Sequence, residues 1–390
     1  MATSERDYSD AKKLRIVVVG AGIVGASIAY HLSRRKDIAV TVLERDESCA
    51  GASGHSFAWL NSFGKDPVSY HHFNRRSMDI WDRFARRLGG DLDLHWGGEL
   101  RWESMPERVE VLRQRVKQLQ AWGYPIRIIS SDELRELEPG LSPGPVEIAS
   151  FSEIDGRVDP FKVIEACLQR ACEAGASVHT HTPVTELCLD QRGKIKAVNT
   201  PSEEISCDVV VLASGTDTTE LAATASVHIP QQHSPGVVVR TDPQPPILQN
   251  VSVLHLPPID ENRHEIHLRQ SADGTLAIGQ GSQESVDQDD SQEHADDLLG
   301  RAVHYLPTLV GARTIPIPVG YRPMPIDELP VIGFCDAAPN LYIALMHSGV
   351  TLAPLVGELA TVEIVDGAHV EMLAPYRPER FRSANRTNLH

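Results

Sequence analysis

The sequence lacks any excess of basic residues. Its 390 residues include 37 Lys and Arg against 53 Asp and Glu, which gives a formal net charge of −16. Because a nucleic-acid interface needs a basic surface to neutralise phosphates, this balance argues against a nucleic-acid partner. Hydrophobic residues make up 41% and charged residues 23% of the chain, as is usual for a folded protein. The length suggests two or three domains.

Several other signals are missing. The six cysteines are scattered and form no C-x-x-C pair, which indicates reduced thiols. The N-terminus is polar and mixed in charge rather than a secretory leader, so we expect a cytoplasmic protein. One mostly apolar run, Leu14 to Leu32, contains three glycines, which favours a buried strand, turn and helix over a transmembrane segment. No P-loop, G-x-S-x-G motif or set of three metal ligands is present, and we expect no metal site.

The segment after the N-terminus has the pattern of one βαβ unit. A β-branched run at Leu14–Val19 predicts a buried strand, a helical pattern covers about 23–35, and Ala39–Leu43 predicts a strand that ends at Glu44. Between the first strand and the helix the sequence matches G-x-G-x-x-G, with the residues Gly20, Ala21, Gly22, Ile23, Val24 and Gly25.

This motif is typical of a dinucleotide site when a strand precedes it and a helix follows. Gly20 permits the tight turn, Gly22 lets the backbone approach a pyrophosphate, and Gly25 lets the helix pack on the strand. The helix N-terminus attracts phosphates, and Glu44 is placed to accept hydrogen bonds from ribose hydroxyls. A glycine turn without a ligand is the structural alternative, and the motif alone does not distinguish NAD from FAD.

Small residues also follow other predicted strands. A loop after Arg45 contains Ala52, Ser53 and His55, and a buried strand ends in Ala213, Ser214 and Gly215. A strand at Leu341–Met346 leads through His347 into a helical pattern. Antiparallel strands are expected within 228–281. The predicted helices beyond the first are 70–88, 106–122, 160–174 and 352–366.

Taken together, these segments resemble the FAD-dependent D-amino-acid oxidase superfamily, nearest to its glycine oxidase and D-amino-acid dehydrogenase branch. The resemblance spans roughly 14–367 and rests on GAGIVGASIAYHL, EIDGRVDPFKVIEACLQRACEAGASV, VVLASG, GYRPMPIDELPVIG and LMHSGVTLAPLVGELATVEI. It implies FAD, held without a covalent link, and an α/β fold. That fold joins a discontinuous, Rossmann-like FAD-binding domain to an antiparallel-sheet α+β substrate domain. The implied ranges are 14–87, 146–225 and 328–375 for the first, 88–145 and 226–327 for the second, and 1–13 and 376–390 for tails.

The resemblance also implies roles for individual residues. Glu44 and the glycines would hold the ADP half, Val184 the adenine side, and the turn before the last helix the flavin pyrimidine. The implied cofactor-binding residues are Gly20, Ala21, Gly22, Ile23, Val24, Gly25, Glu44, Arg45, Ala52, Ser53, His55, Val184, Ala213, Ser214, Gly215, Gly349, Val350 and Thr351.

Three residues are implied in catalysis. Arg322 matches the arginine that clamps a substrate carboxylate, whereas an ion-paired surface arginine is the structural alternative. His347 and His267 stand where glycine oxidases carry an arginine and a tyrosine. Both histidines are expected to titrate near neutral pH, unless they are only structural. Ala277 stands nearest the position where some sarcosine oxidases carry a lysine, so either oxygen or another electron acceptor is expected.

The resemblance therefore implies an oxidoreductase that acts on the C–N bond of a small amine, an amino acid or an N-substituted amino acid. A hydride would move from the substrate Cα to flavin N5 and leave an imine. An FAD-dependent 2-hydroxy-acid dehydrogenase and a flavin-binding protein without turnover are the alternatives. The sequence gives no indication of the oligomeric state.

Overall fold

A computed structural model describes residues 13–281 and 288–381. Of the predicted tails 1–13 and 376–390, residues 1–12 and 382–390 lie outside the described residues. Tyr376 and Phe381 are buried in the core, so the packed chain extends beyond the predicted start of the C-terminal tail at residue 376.

Nine α-helices occur in the described ranges. They are α1 Ile23–Ser33, α2 Val68–Met78, α3 Trp81–Leu88, α4 Pro106–Ala121, α5 Ser131–Leu137, α6 Pro160–Glu173, α7 Thr218–Thr224, α8 Gln292–Tyr305 and α9 Gly349–Asp366. Where one helical pattern was predicted over 70–88, the structure has two helices. The break allows the Ser77 hydroxyl and the Trp81 indole N–H to donate to the Thr351 carbonyl, at 2.6 and 3.0 Å.

A six-stranded sheet forms the first layer of the fold. Five strands are parallel and one edge strand is antiparallel. Because Ile38–Leu43 lies on one side of the first strand and the later strand Val209–Leu212 lies on the other, the sheet has a topological switch point there. Ligands bind at such points in open α/β sheets. The strand order is Val331–Phe334, Leu341–Leu345, Val209–Leu212, Leu14–Val19, Ile38–Leu43 and Ser177–His179.

Helix α1 covers one face of this sheet between α6 and α9. Its central residues are almost all buried, since helices on both sides leave it little contact with solvent. The Ser27 hydroxyl donates to the Ala353 carbonyl at 2.7 Å, and a Cβ on Gly357 would lie 2.5 Å from the Ser27 Oγ. The small residue therefore allows α1 and α9 to approach closely.

An eight-stranded sheet forms the second part of the fold, and it is antiparallel except for one pair. Val253–Leu256 runs parallel to Glu99–Glu103, which sequence periodicity did not predict. The strand order is Thr314–Ile315, Val238–Thr241, Leu276–Gln280, Ile266–Gln270, Val253–Leu256, Glu99–Glu103, Ile148–Ser152 and Ile126–Ile129. Helix α8 packs against this sheet through Leu298 and Ala302.

The remaining strands form small sheets. The three-stranded sheet is Glu204–Ser206, Ile195–Asn199 and Glu186–Leu189, and the two-stranded ones are Gln231–Gln232 with Met324–Pro325, Pro235–Gly236 with Gly320–Tyr321, and Trp59–Leu60 with Gly156–Arg157.

The predicted fold class, a Rossmann-like α/β region with antiparallel sheets, is confirmed. The domain ranges stay a prediction. Because Ile148–Ser152 pairs within the eight-stranded sheet, we propose that the second domain extends to about residue 152 rather than to 145.

Candidate functional site

A cleft opens at the carboxyl edge of the six-stranded sheet, at the switch point. Four strand ends reach it, because parallel strands present their carboxyl ends at one edge. The predicted cofactor-binding residues that line it are Gly20, Gly22, Ile23, Val24, Glu44, Arg45, Ala52, Ser53, Val184, Ala213, Ser214, Gly215, Gly349 and Val350. The predicted residues Ala21, Gly25, His55 and Thr351 do not line it.

The glycine turn is closely packed. Gly20 has φ +103°, and a Cβ on it would lie 2.5 Å from the Ala213 carbonyl oxygen. A Cβ on Gly25 would lie 2.0 Å from the Gly20 carbonyl oxygen. Only glycine fits these two positions, and α1 therefore begins at the cleft with its positive N-terminal end toward it. This arrangement fits a pyrophosphate.

Glu44 is held in place at the end of its strand. One carboxylate oxygen accepts the Ala21 N–H at 2.7 Å, and the other accepts the Asp46 N–H at 3.0 Å. Ala21 therefore orients the carboxylate although it does not line the cleft itself. Arg45 pairs with Asp46 at 3.0 Å and with Asp217 at 2.5 Å across the cleft mouth.

The loop after Cys49 closes over the start of α1. The Ser53 hydroxyl accepts the Ile23 N–H at 3.1 Å, and Gly22 faces the same oxygen. His55 points elsewhere, with its Nδ1 atom 3.1 Å from the Gly51 carbonyl oxygen and its Cβ against Gly320. The structure thus places Ser53 in the cleft wall and His55 outside it.

Helix α9 starts three residues earlier than predicted, at Gly349, so that Gly349, Val350 and Thr351 form its first turn. Gly349 and Val350 face the cleft. Thr351 is buried behind them, where its hydroxyl donates to the Trp59 carbonyl at 3.3 Å. Thr351 fixes the position of the helix start rather than contacting the cleft.

Arg322 lies in the turn between two short strands, and its neighbours Tyr321 and Pro323 line the cleft. Its guanidinium packs against Gly236, donates to the Pro235 carbonyl, and lies 3.5 Å from the Ser234 hydroxyl. Burial lowers the pKa of Arg322 from its usual value, although a guanidinium remains charged.

The positive charge of Arg322 lowers the pKa of both predicted histidines. His347 lines the cleft, and burial with the charges of Lys65 and Arg322 holds its pKa well below the usual range. Burial and the Arg101 charge lower the pKa of His267 to about 4. The expectation that both titrate near neutral pH is wrong, because desolvation favours the neutral ring.

A buried polar cluster behind His267 was not predicted. The His255 ring lies 5.4 Å from the His267 ring, and the His255 Nε2 atom lies 3.6 Å from a Glu99 oxygen. Asp155 accepts hydrogen bonds from the Trp59 indole at 2.8 Å and the Tyr124 hydroxyl at 2.5 Å. Burial raises the pKa of Asp155 to about 7. Charged side chains are usually exposed, so the sequence gives little reason to expect this cluster. The one signal is the alternation of Glu99, Arg101 and Glu103, which places three charged side chains on the same face of a strand.

The described part of the chain holds neither a metal-ligand cluster nor a membrane-spanning helix. No group of three or more potential ligands is placed to hold a metal ion. No helix there is long and apolar enough to cross a membrane.

The chain matches a known protein family over most of its length. The model of the DAO family, described as FAD dependent oxidoreductase, matches residues 15–362. Mitochondrial dimethylglycine dehydrogenase from Rattus norvegicus is 26% identical over 394 residues, which cover 94% of this chain and 44% of the relative. Glycine oxidase from Geobacillus kaustophilus is 24% identical over 371 residues, covering 93% of this chain and 95% of the relative. The chain thus spans less than half the length of the dimethylglycine dehydrogenases that it matches.

Solved structures are similar over nearly the whole fold. L-proline dehydrogenase from P. horikoshii superposes with a TM-score of 0.82 at 25% identity, covering 96% of this chain and 99% of the other. Glycine oxidase from Geobacillus kaustophilus gives a TM-score of 0.81 at 23% identity, covering 94% and 99% of the two chains.

Proposed function

The chain belongs to the DAO family of FAD-dependent oxidoreductases, and from this premise we propose that it oxidises the C–N bond of an amino acid or an N-substituted amino acid. The relatives named glycine oxidase, dimethylglycine dehydrogenase and L-proline dehydrogenase support this class of substrate, because each name specifies an amino acid or an N-methylated one.

The position of Arg322 is the observation that carries the proposal. Tyr321 and Pro323, on either side of it, line the same cleft as the glycine turn, and its charge lowers the pKa of His347, which also lines that cleft. Gly236 leaves room for the guanidinium plane, since a Cβ there would lie 2.3 Å from one of its nitrogens. A guanidinium binds a carboxylate through two parallel hydrogen bonds, which would fix the substrate relative to α9.

The cleft fits FAD at both ends. The start of α1 and the glycine turn would hold the pyrophosphate, and Glu44 the ribose. The start of α9 would direct the N–H groups of Gly349 and Val350 to the flavin pyrimidine, where a positive helix end stabilises negative charge. When bound, FAD supplies a two-electron acceptor for a hydride from the substrate Cα, and an imine is the product.

The charges around His347 favour an uncharged substrate amine. Because the pKa of His347 is held well below its usual range, its ring is neutral and can accept a hydrogen bond from an amine N–H. The positive charges of Lys65 and Arg322 would also lower the pKa of an amine bound beside that ring. An uncharged amine keeps the nitrogen lone pair that assists loss of the Cα hydride.

We propose that FAD is bound without a covalent link. His55 lies outside the cleft lining, as described above. Cys49 lines the cleft, but burial raises the pKa of its thiol to about 12, so it stays protonated and a weak nucleophile. Acid precipitation should therefore release the flavin into the supernatant, and flavin retained in the pellet would contradict this.

We also propose a cytoplasmic location. All six cysteines are free thiols, which is typical of proteins kept in a reducing compartment. Fractionation of the native cell tests this, and recovery of the protein in an exported fraction would contradict it.

Anaerobic mixing of the yellow holoenzyme with a substrate panel tests the proposed function. The panel contains amino acids, N-methyl amino acids, N-carboxyalkyl amino acids and 2-hydroxy acids. We expect members of the first three groups to bleach the flavin. Bleaching by hydroxy acids alone would favour a 2-hydroxy-acid dehydrogenase, and no bleaching would favour binding without turnover. Reoxidation by air or only by an artificial acceptor then separates an oxidase from a dehydrogenase.

Arg322→Ala supplies the matched test of the carboxylate clamp. Loss of a charge-assisted pair should raise KM for carboxylate substrates about 10- to 100-fold. Arg192→Ala serves as the control, because it removes an exposed arginine that does not line the cleft. Equal kinetics in both variants would exclude Arg322 from the site.

A further inference from the structure

Lys65 is a buried lysine that the proposed reaction does not yet use. It lies in the loop between the short strand Trp59–Leu60 and α2, and only 2% of it is exposed. In residues 13–281 and 288–381, no carboxylate or hydrogen-bond acceptor contributes to the pKa shift of its ammonium group, which burial alone causes. Buried charges without a partner are unfavourable and uncommon, so this one requires an explanation.

The loop that carries Lys65 packs against the start of α9. The Tyr70 hydroxyl donates to the Ser348 hydroxyl at 2.8 Å, and the Asn61 N–H points to the Thr351 hydroxyl at 3.4 Å. These contacts place both ends of the loop at the helix that begins beside His347. The loop of Lys65 thus packs against the helix whose first turn, at Gly349 and Val350, lines the cleft. The charges of Lys65 and Arg322 both lower the pKa of His347 in the cleft wall.

Two other cations near this loop already have carboxylate partners, and one of them is Arg115, whose Nη1 atom lies 3.0 Å from an Asp66 oxygen. The Arg101 Nε atom lies 3.0 Å from a Glu99 carboxylate oxygen, and its guanidinium covers the Phe63 ring. Lys65 has no equivalent of Glu99. A bound anion would supply the charge that the described residues do not provide. Burial lowers the pKa of Lys65 to about 8, so the ammonium form still predominates at neutral pH.

We propose that Lys65 binds a second anionic group of the substrate, and that the substrate class is the amino dicarboxylic acids, including N-carboxyalkyl amino acids. The inference rests on the proposed function, because it assigns one carboxylate to Arg322 and the second to Lys65. An uncharged amine with two carboxylates carries two negative charges, which these two cations match. A monocarboxylic amino acid would leave Lys65 without a counter-ion in a closed site.

Ligand titration of the oxidised holoenzyme tests this without turnover. The probes are succinate, glutarate and adipate, each compared with the straight-chain monocarboxylate of equal length, and the flavin absorbance change measures binding. In the wild-type protein we expect at least one dicarboxylate to bind more tightly than its monocarboxylate. The chain length that binds best reports the separation of the two cations.

Lys65→Met removes the charge while keeping an unbranched apolar side chain, and Lys65→Arg keeps the charge. We expect Lys65→Met to weaken the best dicarboxylate by about 10- to 100-fold and to leave the monocarboxylates nearly unchanged. Lys65→Arg should restore part of the preference. Lys117→Met, which removes an exposed lysine on α4, is the control and should match the wild type.

Equal dicarboxylate affinity in Lys65→Met and the wild type would overturn the proposal. If Lys65→Met does not bind FAD, the same comparison is made with Lys65→Gln and Lys65→Arg. The absence of a dicarboxylate preference in the wild type would also overturn the proposal. The results that would reject the Lys65 subsite differ from those that would reject the proposed function. Anaerobic bleaching by monocarboxylic amino acids alone would leave that function standing, whereas a dicarboxylate preference without any bleaching would reject it and keep the subsite.

Discussion

The substitution Gly25→Ala tests the structural basis of the cofactor cleft. The added Cβ would lie 2.0 Å from the Gly20 carbonyl oxygen, 3.1 Å from the Gly20 carbonyl carbon and 3.3 Å from the Ala213 Cβ. The first two atoms are backbone and cannot rotate away. The start of α1 must therefore move from the strand Leu14–Val19, and the glycine turn that would hold the pyrophosphate moves with it.

The expected cost follows from the contact distances. Overpacking in a core typically costs about 1–3 kcal/mol, and contact with fixed backbone places this substitution at or above the upper value. We expect a fall in Tm of several degrees and a protein isolated with little flavin. Thermal unfolding and the ratio of flavin to protein absorbance measure the two effects.

Gly51→Ala is the matched control, because Gly51 lines the same cleft and no atom lies within 4 Å of its added Cβ. Gly22→Ala is intermediate, with the Ser53 hydroxyl 3.3 Å away. Flavin content and Tm should fall in the order Gly51→Ala, Gly22→Ala, Gly25→Ala. Wild-type flavin content in Gly25→Ala would refute the packing described for the turn.

Three further predictions follow from the site. Glu44→Gln keeps the shape of the side chain but removes its charge, and we expect FAD to bind about 10-fold more weakly. Equilibrium dialysis measures this, and unchanged affinity would exclude a ribose contact. His55→Ala should bind and release flavin as the wild type does, because His55 lies outside the cleft lining. The pKa of Asp155 is raised from 3.8 to about 7, so the folded state holds this proton more tightly than the unfolded chain. Its contribution to the free energy of unfolding therefore falls as pH rises, by about 3 kcal/mol between pH 5 and 8. Asp155→Asn should lose that dependence in thermal unfolding, and an unchanged profile would show that another group is responsible.

The sequence predicts the parts of the site that are local in the chain. The glycine turn, the helix after it and Glu44 lie within one βαβ unit, where strand and helix patterns and motif spacing act together. Their positions in the structure follow the prediction, and the close approach of Gly25 to Gly20 and the Ala21–Glu44 hydrogen bond both lie within this unit.

Elements that depend on distant partners were predicted less well. The break between α2 and α3 follows from hydrogen bonds to Thr351, far along the chain. The parallel pairing of Glu99–Glu103 with Val253–Leu256 joins segments about 150 residues apart, and no local pattern encodes such a register.

Buried charge was the least predictable feature. A lysine in a Gly-Lys-Asp-Pro turn is typical of the surface, yet Lys65 is buried. Likewise, His347 and His267 were expected to titrate near neutral pH because the sequence does not show how completely a ring is desolvated. In each case the structure buries a polar side chain that sequence patterns assign to solvent.

Single turnover under anaerobic conditions tests the central claim most directly. The holoenzyme is mixed with the best substrate of the panel and with the same substrate deuterated at Cα. We predict that one flavin is reduced for each carbonyl product recovered after hydrolysis of the imine, and that deuterium slows the bleaching. Flavin reduction without loss of the C–N bond, or the absence of reduction by every amine tested, would contradict it.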